Sequence, residues 1–224
     1  MFTLVLTVQL VKGYGEGMGA VERRSRQREE FREQILAAAR QIVLSEGYRA
    51  LTMRRIAEAV EYSPAAIYQY FESRDAIAIA LMEEGFDALA AAFEPYASIV
   101  NPRDRLEQVG GAYVRFGLER PETYRLMFME DPEITATLLV GSTQSNTAGA
   151  RAYLALIEPV ALLSARGTLQ PGMEVQAVAD SLWSALHGLV ALKLTCPTFP
   201  ATPTHALLST LLRTLLDGCL TERR

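Results

Sequence analysis

Apolar side chains between residues 51 and 74 repeat at spacings of three and four, the pattern of short helices with one buried face. Thr52 can cap a first helix. Its inward positions are Met53, Ile56, Ala57 and Val60. Ser63 and Pro64 form a second start signal, because serine caps well and proline at the first helical position loses only an N–H that had no partner. The pattern therefore predicts two short helices joined by a tight turn, with the second running to Phe71.

Longer helices are predicted on either side of this pair. The preceding helix extends from about Arg28 to Ser45 and stops at Gly47, which suits the left-handed backbone that often ends a helix. Its apolar face consists of Phe31, Ile35, Leu36, Ala39, Ile42 and Val43. The following helix has Ser73 as its cap and an apolar period that continues to Phe93. The sequence thus predicts a helix-turn-helix flanked by two longer helices.

The run ILAAARQIVLSEGYRALTMRRIAEAVEYSPAAIYQYFESRDAI resembles the DNA-binding domain of the TetR family of transcriptional regulators. The match covers about residues 28 to 80, and the segments EGY, LT, RRIA, SPAAIYQYF and SRDAI follow the family's order without gaps. The chain departs from the family at Glu61, where glycine is usual, and at Tyr62, where a small aliphatic residue is usual. A non-glycine residue at positive φ costs roughly 1 kcal/mol, so we expect a slightly reshaped turn.

The resemblance implies which side chains contact DNA. Gln69 is expected to reach a base edge with an amide suited to adenine, and Pro64, Ala65 and Ala66 offer apolar contacts to thymine methyl groups. The remaining expected contacts, mainly to phosphates, are Thr52, Arg54, Arg55, Ser63, Tyr68, Tyr70 and Arg74. Of Arg54 and Arg55, one is expected near the DNA backbone and the other in solvent.

Length and charge agree with this interpretation. The chain has 224 residues and is 50% hydrophobic, which leaves roughly 150 residues for a second domain with its own core. Residues 23–75 hold ten Arg against eight Asp and Glu, whereas residues 76–224 hold eleven basic against sixteen acidic residues. Local potential governs DNA affinity, so a net-acidic protein can still bind. The densest basic group, Arg23, Arg24, Arg26 and Arg28, is either a solvated arm or an arm that touches phosphates or a minor groove.

Residues 1–27 are predicted to be a flexible N-terminal extension and basic arm. The apolar run FTLVLTVQLV lacks a preceding positive region and is too short to span a bilayer, so it does not predict a signal peptide. Met18 lies just before the basic arm, where similar proteins commonly begin, which suggests that residues 1–17 are an upstream extension. The predicted domains are then a helix-turn-helix domain at 28–75 and a helical effector-binding and dimerisation domain at 76–224.

The second domain is predicted to be helical throughout, so the fold class is all-α: a three-helix DNA-binding domain followed by a helical bundle. Its aromatic and methionine-rich segment is either core or pocket lining. By the resemblance, GLERPETYRLMF is similar to a pocket-adjacent segment, and WSALHG to a Trp-His-Gly signature of one subset. The predicted effector pocket consists of Tyr113, Phe116, Tyr124, Met127, Trp183 and His187. His187 is either a satisfied core or interface histidine or a ligand contact.

The last predicted helix, Thr204 to Leu220, carries a wide leucine face. Such a stripe in water would promote aggregation, and two-fold packing buries it. The resemblance adds that the last two long helices form a four-helix bundle in a homodimer. The predicted interface comprises Leu207, Leu208, Leu211, Leu212 and Leu215.

These features predict a cytoplasmic, ligand-responsive transcriptional regulator, usually a repressor, which binds a palindromic operator as a dimer and is released by a partly apolar small molecule. With two cysteines and two histidines there is no metal-site spacing, so we predict no metal, cofactor or membrane partner. An enzyme on a helical bundle would need clustered histidines, Glu-x-x-His motifs or a phosphate loop, which the sequence lacks. The alternative is a helix-turn-helix protein that organises DNA, or is controlled by a protein partner, without a small-molecule effector.

Overall fold

The computed structural model describes residues 3–135 and 147–221, and within these ranges it describes side chains from residue 21 onward. Its contacts divide the chain into Met1–Ile77 and Ala78–Arg224, here called the head and the bundle. The helices are α1 (Thr3–Glu46), α2 (Met53–Ala59), α3 (Pro64–Tyr68), α4 (Arg74–Phe93), α5 (Pro102–Glu119), α6 (Pro121–Phe128), α7 (Ala148–Ala165), α8 (Val175–Thr195) and α9 (Thr204–Cys219). The predicted all-α fold is confirmed. Parts of the predicted domains at residues 1–2, 136–146 and 222–224 lie outside the described residues.

Helix α1 differs from the prediction at its start. It begins at Thr3 instead of near Arg28 and extends over 44 residues. Residues 22–34 are rich in Glu, Arg and Gln, all strong helix formers, and contain no proline, which explains why the helix continues upstream of Arg28 to about residue 22. The flexibility of residues 1–27 stays a prediction. The end agrees better: α1 stops before Gly47, whose φ of 81° and ψ of 168° lie in a backbone region that is essentially open only to glycine.

Three hydroxyl caps set the starts of the next helices, as predicted. The side chains of Thr52, Ser63 and Ser73 each accept a hydrogen bond from the backbone N–H three residues later, at 3.2, 3.3 and 3.1 Å. Each bond satisfies one of the donors that a helix N-terminus leaves free. Closely spaced caps thus divide this part of the chain into the separate short helices of a helix-turn-helix.

The turn between α2 and α3 uses Glu61 in a backbone conformation typical of glycine. Its φ is 60°, and Glu61 is the only non-glycine residue with positive φ in the described part of the chain. Beyond the turn, Ile67 is fully buried and Phe71 is 6% exposed, so both point inward as predicted. Helix α3 ends at Tyr68, before the predicted Phe71, although Gln69 keeps helical backbone angles.

The bundle is built around α5, which packs against α7 and α8, while α9 lies on α5 and α8. Helices α7 and α8 are long and apolar enough, by length and composition alone, to cross a membrane, a test that core helices of soluble proteins also pass. Both supply buried core residues here, among them Val160 and Leu186. After α9, a hydrogen bond from the Thr221 N–H to the Thr168 carbonyl at 2.9 Å fastens the chain to the loop after α7.

One predicted interface residue belongs to the core instead. Leu212 is 4% exposed, and a Cβ added at Gly110 would stand 3.1 Å from one of its methyl groups. The leucine face of α9 is wide because part of it packs on α5 and α8 of the same chain. Four other leucines are half-buried against this core, and their role in a dimer stays a prediction: Leu207, Leu208, Leu211 and Leu215.

Candidate functional site

Helix α3 presents one face to the core and the other to solvent. Ile67 anchors it, whereas Tyr68 is 54% exposed. Ala65 and Gln69 are also exposed, and Ala66 is partly covered. The predicted base-reading side chains therefore lie together on the outer surface of a helix that is fixed from beneath.

The two tyrosines near the turn contact helix α1. The Phe31 ring lies 4.3 Å from the Tyr62 ring and 5.0 Å from the Tyr70 ring, measured between centroids. The guanidinium of Arg28 stands 5.7 Å from the centre of the Tyr70 ring. Tyr62, the departure from the family pattern, therefore joins an aromatic cluster that braces α1 against the helix-turn-helix. Sequence reasoning missed this packing because the partners are far apart in the chain.

The arginines expected to hold phosphates have carboxylate partners in the free protein. Arg54 Nε donates to Glu58 at 2.8 Å, and Arg55 donates to both oxygens of Glu46. The hydrogen bond from Arg55 lowers the pKa of the Glu46 carboxyl. The Arg54 side chain is 84% exposed, against 40% for Arg55.

Arg74 is held in a similar way. Its side chain lies 3.0 Å from the Asp75 carboxylate, with its guanidinium 4.8 Å from the centre of the Tyr48 ring. The Tyr48 hydroxyl donates to the same carboxylate at 3.2 Å. A phosphate that binds Arg74 would have to share it with Asp75 or replace that contact.

A groove beside α3 was not predicted. Five side chains line a space of about 290 Å³: Arg24, Gln27 and Arg28 of α1 with Gln69 and Tyr70. We call it the arginine groove. Arg24 and Arg28 belong to the basic group singled out in the sequence, but only the fold shows that they lie beside Gln69.

Inside the bundle, three polar side chains meet in a mostly apolar core. The hydroxyls of Tyr113 and Tyr124 lie 2.9 Å apart, and His187 Nδ1 lies 2.6 Å from the Tyr124 hydroxyl and 3.4 Å from that of Tyr113. Burial raises the pKa of both tyrosine hydroxyls and lowers the pKa of His187. These three residues, the buried polar cluster, are therefore uncharged at neutral pH.

Aromatic rings surround the buried polar cluster. The Trp183 ring lies 5.1 Å from that of Tyr113, and the Phe128 ring lies 4.8 Å from Tyr124 and 5.4 Å from His187. Four of the six predicted pocket residues are thus in direct contact. Phe128 was left out of the prediction, although its position four residues after Tyr124 on a helix was a usable signal.

The other two predicted pocket residues, Phe116 and Met127, belong to the same hydrophobic core as Tyr113 and Tyr124. The Phe116 ring lies below the guanidinium of Arg120, at 5.4 Å. Met127 faces α4, where a Cβ added at Gly85 would stand 2.6 Å from its Sδ atom. Met127 therefore packs α6, the helix that also carries Tyr124, against α4.

Beside Trp183, the Tyr153 hydroxyl donates to Asp180 at 2.5 Å, and the centroids of the Tyr153 and Trp183 rings are 5.9 Å apart. Nothing in the sequence pointed to this pair. Within residues 3–135 and 147–221, no three His, Cys, Asp or Glu side chains are grouped to hold a metal ion. Cys196 is exposed and Cys219 half-buried, both as free thiols.

Comparison with known proteins decides the family. Residues 35–81 match the model of bacterial regulatory proteins of the tetR family, and residues 106–215 match the tetracyclin repressor-like C-terminal domain. The chain belongs to the TetR family. It is accordingly a DNA-binding transcriptional regulator and not an enzyme. The Trp-His-Gly subgroup suggested by WSALHG stays a prediction.

Individual TetR-family relatives are distant. The transcriptional activator FasR of Mycolicibacterium smegmatis is 28% identical over 51% of this chain and 55% of its own length. The transcriptional regulator TcmR of Streptomyces glaucescens is 31% identical over 40% of this chain and 38% of its own. A solved structure of a protein of unknown function from Rhodococcus sp. RHA1 aligns with a TM-score of 0.67 and 25% identity, over 85% of this chain and 95% of that one. The chain thus spans about half, or less, of the length of these curated relatives.

Proposed function

We propose that this TetR-family protein is a cytoplasmic, ligand-responsive repressor that binds a palindromic operator as a homodimer and is released by a small molecule. The observation that carries the proposal is the outer face of α3, where Ala65, Tyr68 and Gln69 are exposed while Ile67 anchors the helix. A helix held in this way can enter a major groove. In a dimer the two copies would read half-sites about 34 to 36 Å apart.

Each exposed side chain has a role that its chemistry supports. The Gln69 amide can donate to and accept from adenine, and Pro64, Ala65 and Ala66 can contact thymine methyl groups. Thr52, Ser63, Tyr68 and Tyr70 have hydroxyls for phosphate oxygens, although those of Thr52 and Ser63 also cap helices. Arg54, Arg55 and Arg74 supply charge when phosphates compete for them with Glu58, Glu46 and Asp75.

The effector site that we propose is the buried polar cluster with Trp183, Phe128, Phe116 and Met127 around it. We assign the 2.6 Å hydrogen bond to the Tyr124 hydroxyl as donor and a neutral His187 Nδ1 as acceptor, an assignment that places the ring proton on Nε2. No hydrogen bond is recorded for His187 Nε2 within the described residues. A donor of this kind among aromatic rings suits a partly apolar effector with a carbonyl or carboxylate oxygen.

Coupling to DNA would pass through α4. Helix α6 carries Tyr124 and meets α4 where Met127 faces Gly85, and α4 begins at Arg74. An effector that displaces α6 would change the position of α4 and hence the separation of the two recognition helices in the dimer. It can shift this equilibrium only by its differential affinity for the two conformers. We assign the dimer contact to α8 and α9, including Leu207, Leu208, Leu211 and Leu215.

Selection of randomised DNA duplexes on the purified protein, at one stated near-physiological salt concentration, tests the DNA-reading part. We expect an enriched palindrome with half-sites one helical turn apart. Gln69→Ala should relax specificity at one position by about 1–3 kcal/mol, whereas Gln41→Ala, an exposed glutamine of α1, should not. Arg74→Ala should weaken all sequences alike and lower the salt slope by about one for each phosphate contact.

The same experiment weighs the alternative. Retention without enrichment, falling steeply with salt, would indicate a sequence-blind DNA-organising protein. The effector part is tested by the fluorescence of Trp183, the single tryptophan of the chain, during titration with benzoate and decanoate. A ligand that changes this fluorescence should also release the operator duplex. Binding without release would contradict the proposed coupling.

A further inference from the structure

The arginine groove is formed by two elements that approach each other only in the fold. Arg24, Gln27 and Arg28 occupy positions i, i+3 and i+4 of α1 and so share one face of that helix. Gln69 and Tyr70 complete the groove from the end of α3. Two guanidinium groups therefore lie beside the side chain that we expect to read a base.

These two arginines differ from the other arginines near α3 in lacking an acidic partner. No ion pair or hydrogen bond is recorded for Arg24 or Arg28 within the described residues. Four neighbours are paired with carboxylates, at distances up to 3.7 Å: Arg32, Arg54, Arg55 and Arg74. The Tyr70 ring orients the Arg28 guanidinium without neutralising it. The positive charge of the groove is thus available to an anion.

We infer that the arginine groove binds a backbone phosphate of the operator, one that flanks the base read by Gln69. The forked guanidinium matches phosphate oxygens, and the Gln27 amide and Tyr70 hydroxyl add neutral donors. Because α1 supports the arginines, the bound phosphate would fix the register in which Gln69 meets its base. This inference rests on the proposed operator binding and adds α1 to the DNA-contacting surface.

Arg26 provides a matched control for this inference. It lies on α1 between the two groove arginines, is exposed and points about 200° away from them around the helix. Operator affinity would be measured over a range of salt concentrations for Arg24→Ala, Arg28→Ala and Arg26→Ala, with far-UV circular dichroism to check folding. We expect the two groove variants to lower the salt slope by about 0.9 for each phosphate that the variant no longer neutralises. Arg26→Ala should keep the wild-type slope.

Uncharged methylphosphonate linkages, placed one at a time along the half-site, locate the phosphate. At one linkage the wild-type protein should lose as much affinity as Arg28→Ala loses, and Arg28→Ala should lose nothing further. If all three variants behave alike, or if the loss of affinity follows no particular linkage, the groove is not a phosphate site.

Failure of the inference can be told from failure of the proposed function. The duplex selection with wild-type protein tests operator recognition without the variants, and the salt slopes can be measured on any duplex that binds. Inorganic phosphate should compete with DNA no better than chloride at matched ionic strength. If inorganic phosphate binds the free protein, and Arg28→Ala abolishes that binding while it leaves operator affinity and the salt slope unchanged, the groove is a site for free phosphate and the assignment to DNA is overturned.

Discussion

The head and the bundle place their polar side chains in opposite environments. In the head, Tyr68, Gln69 and the side chains of the arginine groove are exposed or partly exposed. In the bundle, Tyr113 and Tyr124 are fully buried, and their hydroxyls are hydrogen-bonded to each other and to His187 Nδ1. When an exposed polar group binds a partner, it exchanges hydrogen bonds to water for hydrogen bonds to that partner. A buried polar group has no water to bond and must be hydrogen-bonded within the protein in every state.

Because of this difference, mutations in the head and in the bundle should affect different properties of the protein. Substitutions on the outer face of α3 should change DNA affinity and leave the free energy of unfolding almost unaltered. Substitutions in the buried polar cluster should change the free energy of unfolding as well as effector binding. The polar groups of a buried site are hydrogen-bonded to each other when no effector is bound. An effector that breaks any of these hydrogen bonds must offer polar groups that replace them.

The largest expected effect is that of Ile67→Ala, which removes the buried anchor of α3. We expect a loss of about 2–5 kcal/mol in the free energy of unfolding of the head, because the cavity cannot close fully. Far-UV circular dichroism during urea titration measures it. Tyr68→Ala, at the next and exposed position, should stay within about 0.5 kcal/mol of wild type and weaken operator binding instead. Equal loss of stability in both variants would contradict the assignment of the two faces.

Tyr124→Phe tests the opposite environment. Loss of the hydroxyl removes a hydrogen bond from His187 and another from Tyr113 inside the core. We expect the free energy of unfolding of the bundle to fall by about 1–3 kcal/mol. The fluorescence of Trp183 during urea titration measures this change. Tyr68→Phe deletes an exposed hydroxyl and should leave stability unchanged. If the free energy of unfolding of Tyr124→Phe equalled that of wild type, the Tyr124 hydroxyl would contribute no net stability.

The head was predictable because its signals are local. Thr52, Ser63 and Ser73 specify helix starts within a few residues, and Ile67 and Phe71 follow from spacing alone. The start of α1 was misplaced because the flexible-arm interpretation weighed the charge of the basic group above the helix propensity of the same residues. The arginine groove could not be predicted in detail, because the distance between Arg28 and Tyr70 depends on the packing of α1.

For the bundle, the sequence predicted the helices and the types of residue they contain, but not how these residues pack. Tyr113, Tyr124 and His187 come from three different helices, so no spacing in the sequence brings them together. Leu212 shows the same limit: a leucine face indicates burial, but whether the partner is the same chain or a second copy depends on how α9 packs. The dimer contact and the roles of individual DNA-facing residues stay predictions.

The pH dependence of stability gives a smaller and more specific test. Burial lowers the pKa of His187, so between the usual value near 6.5 and the lower folded value the unfolded chain binds more protons than the folded one. The free energy of unfolding should therefore rise as pH increases through this window. The stability that neutral His187 contributes is lost as pH falls through the same window. His187→Gln should flatten the dependence there. His205→Gln replaces the only other histidine, which is exposed, and should keep the wild-type slope.

The smallest expected effect concerns Glu61, a non-glycine residue whose backbone adopts a conformation typical of glycine. Its φ of 60° costs an ordinary residue roughly 1 kcal/mol, and Glu61→Gly relieves that strain. Glycine also gives the unfolded chain more freedom, which costs about 0.4–1 kcal/mol, so the net gain should lie between about 0 and 0.6 kcal/mol. Glu61→Ala removes the same carboxylate but keeps the Cβ, and it should show no gain. If Glu61→Gly instead lowered the free energy of unfolding by more than about 0.5 kcal/mol, the Glu61 side chain would be contributing to the turn more than its backbone strain costs.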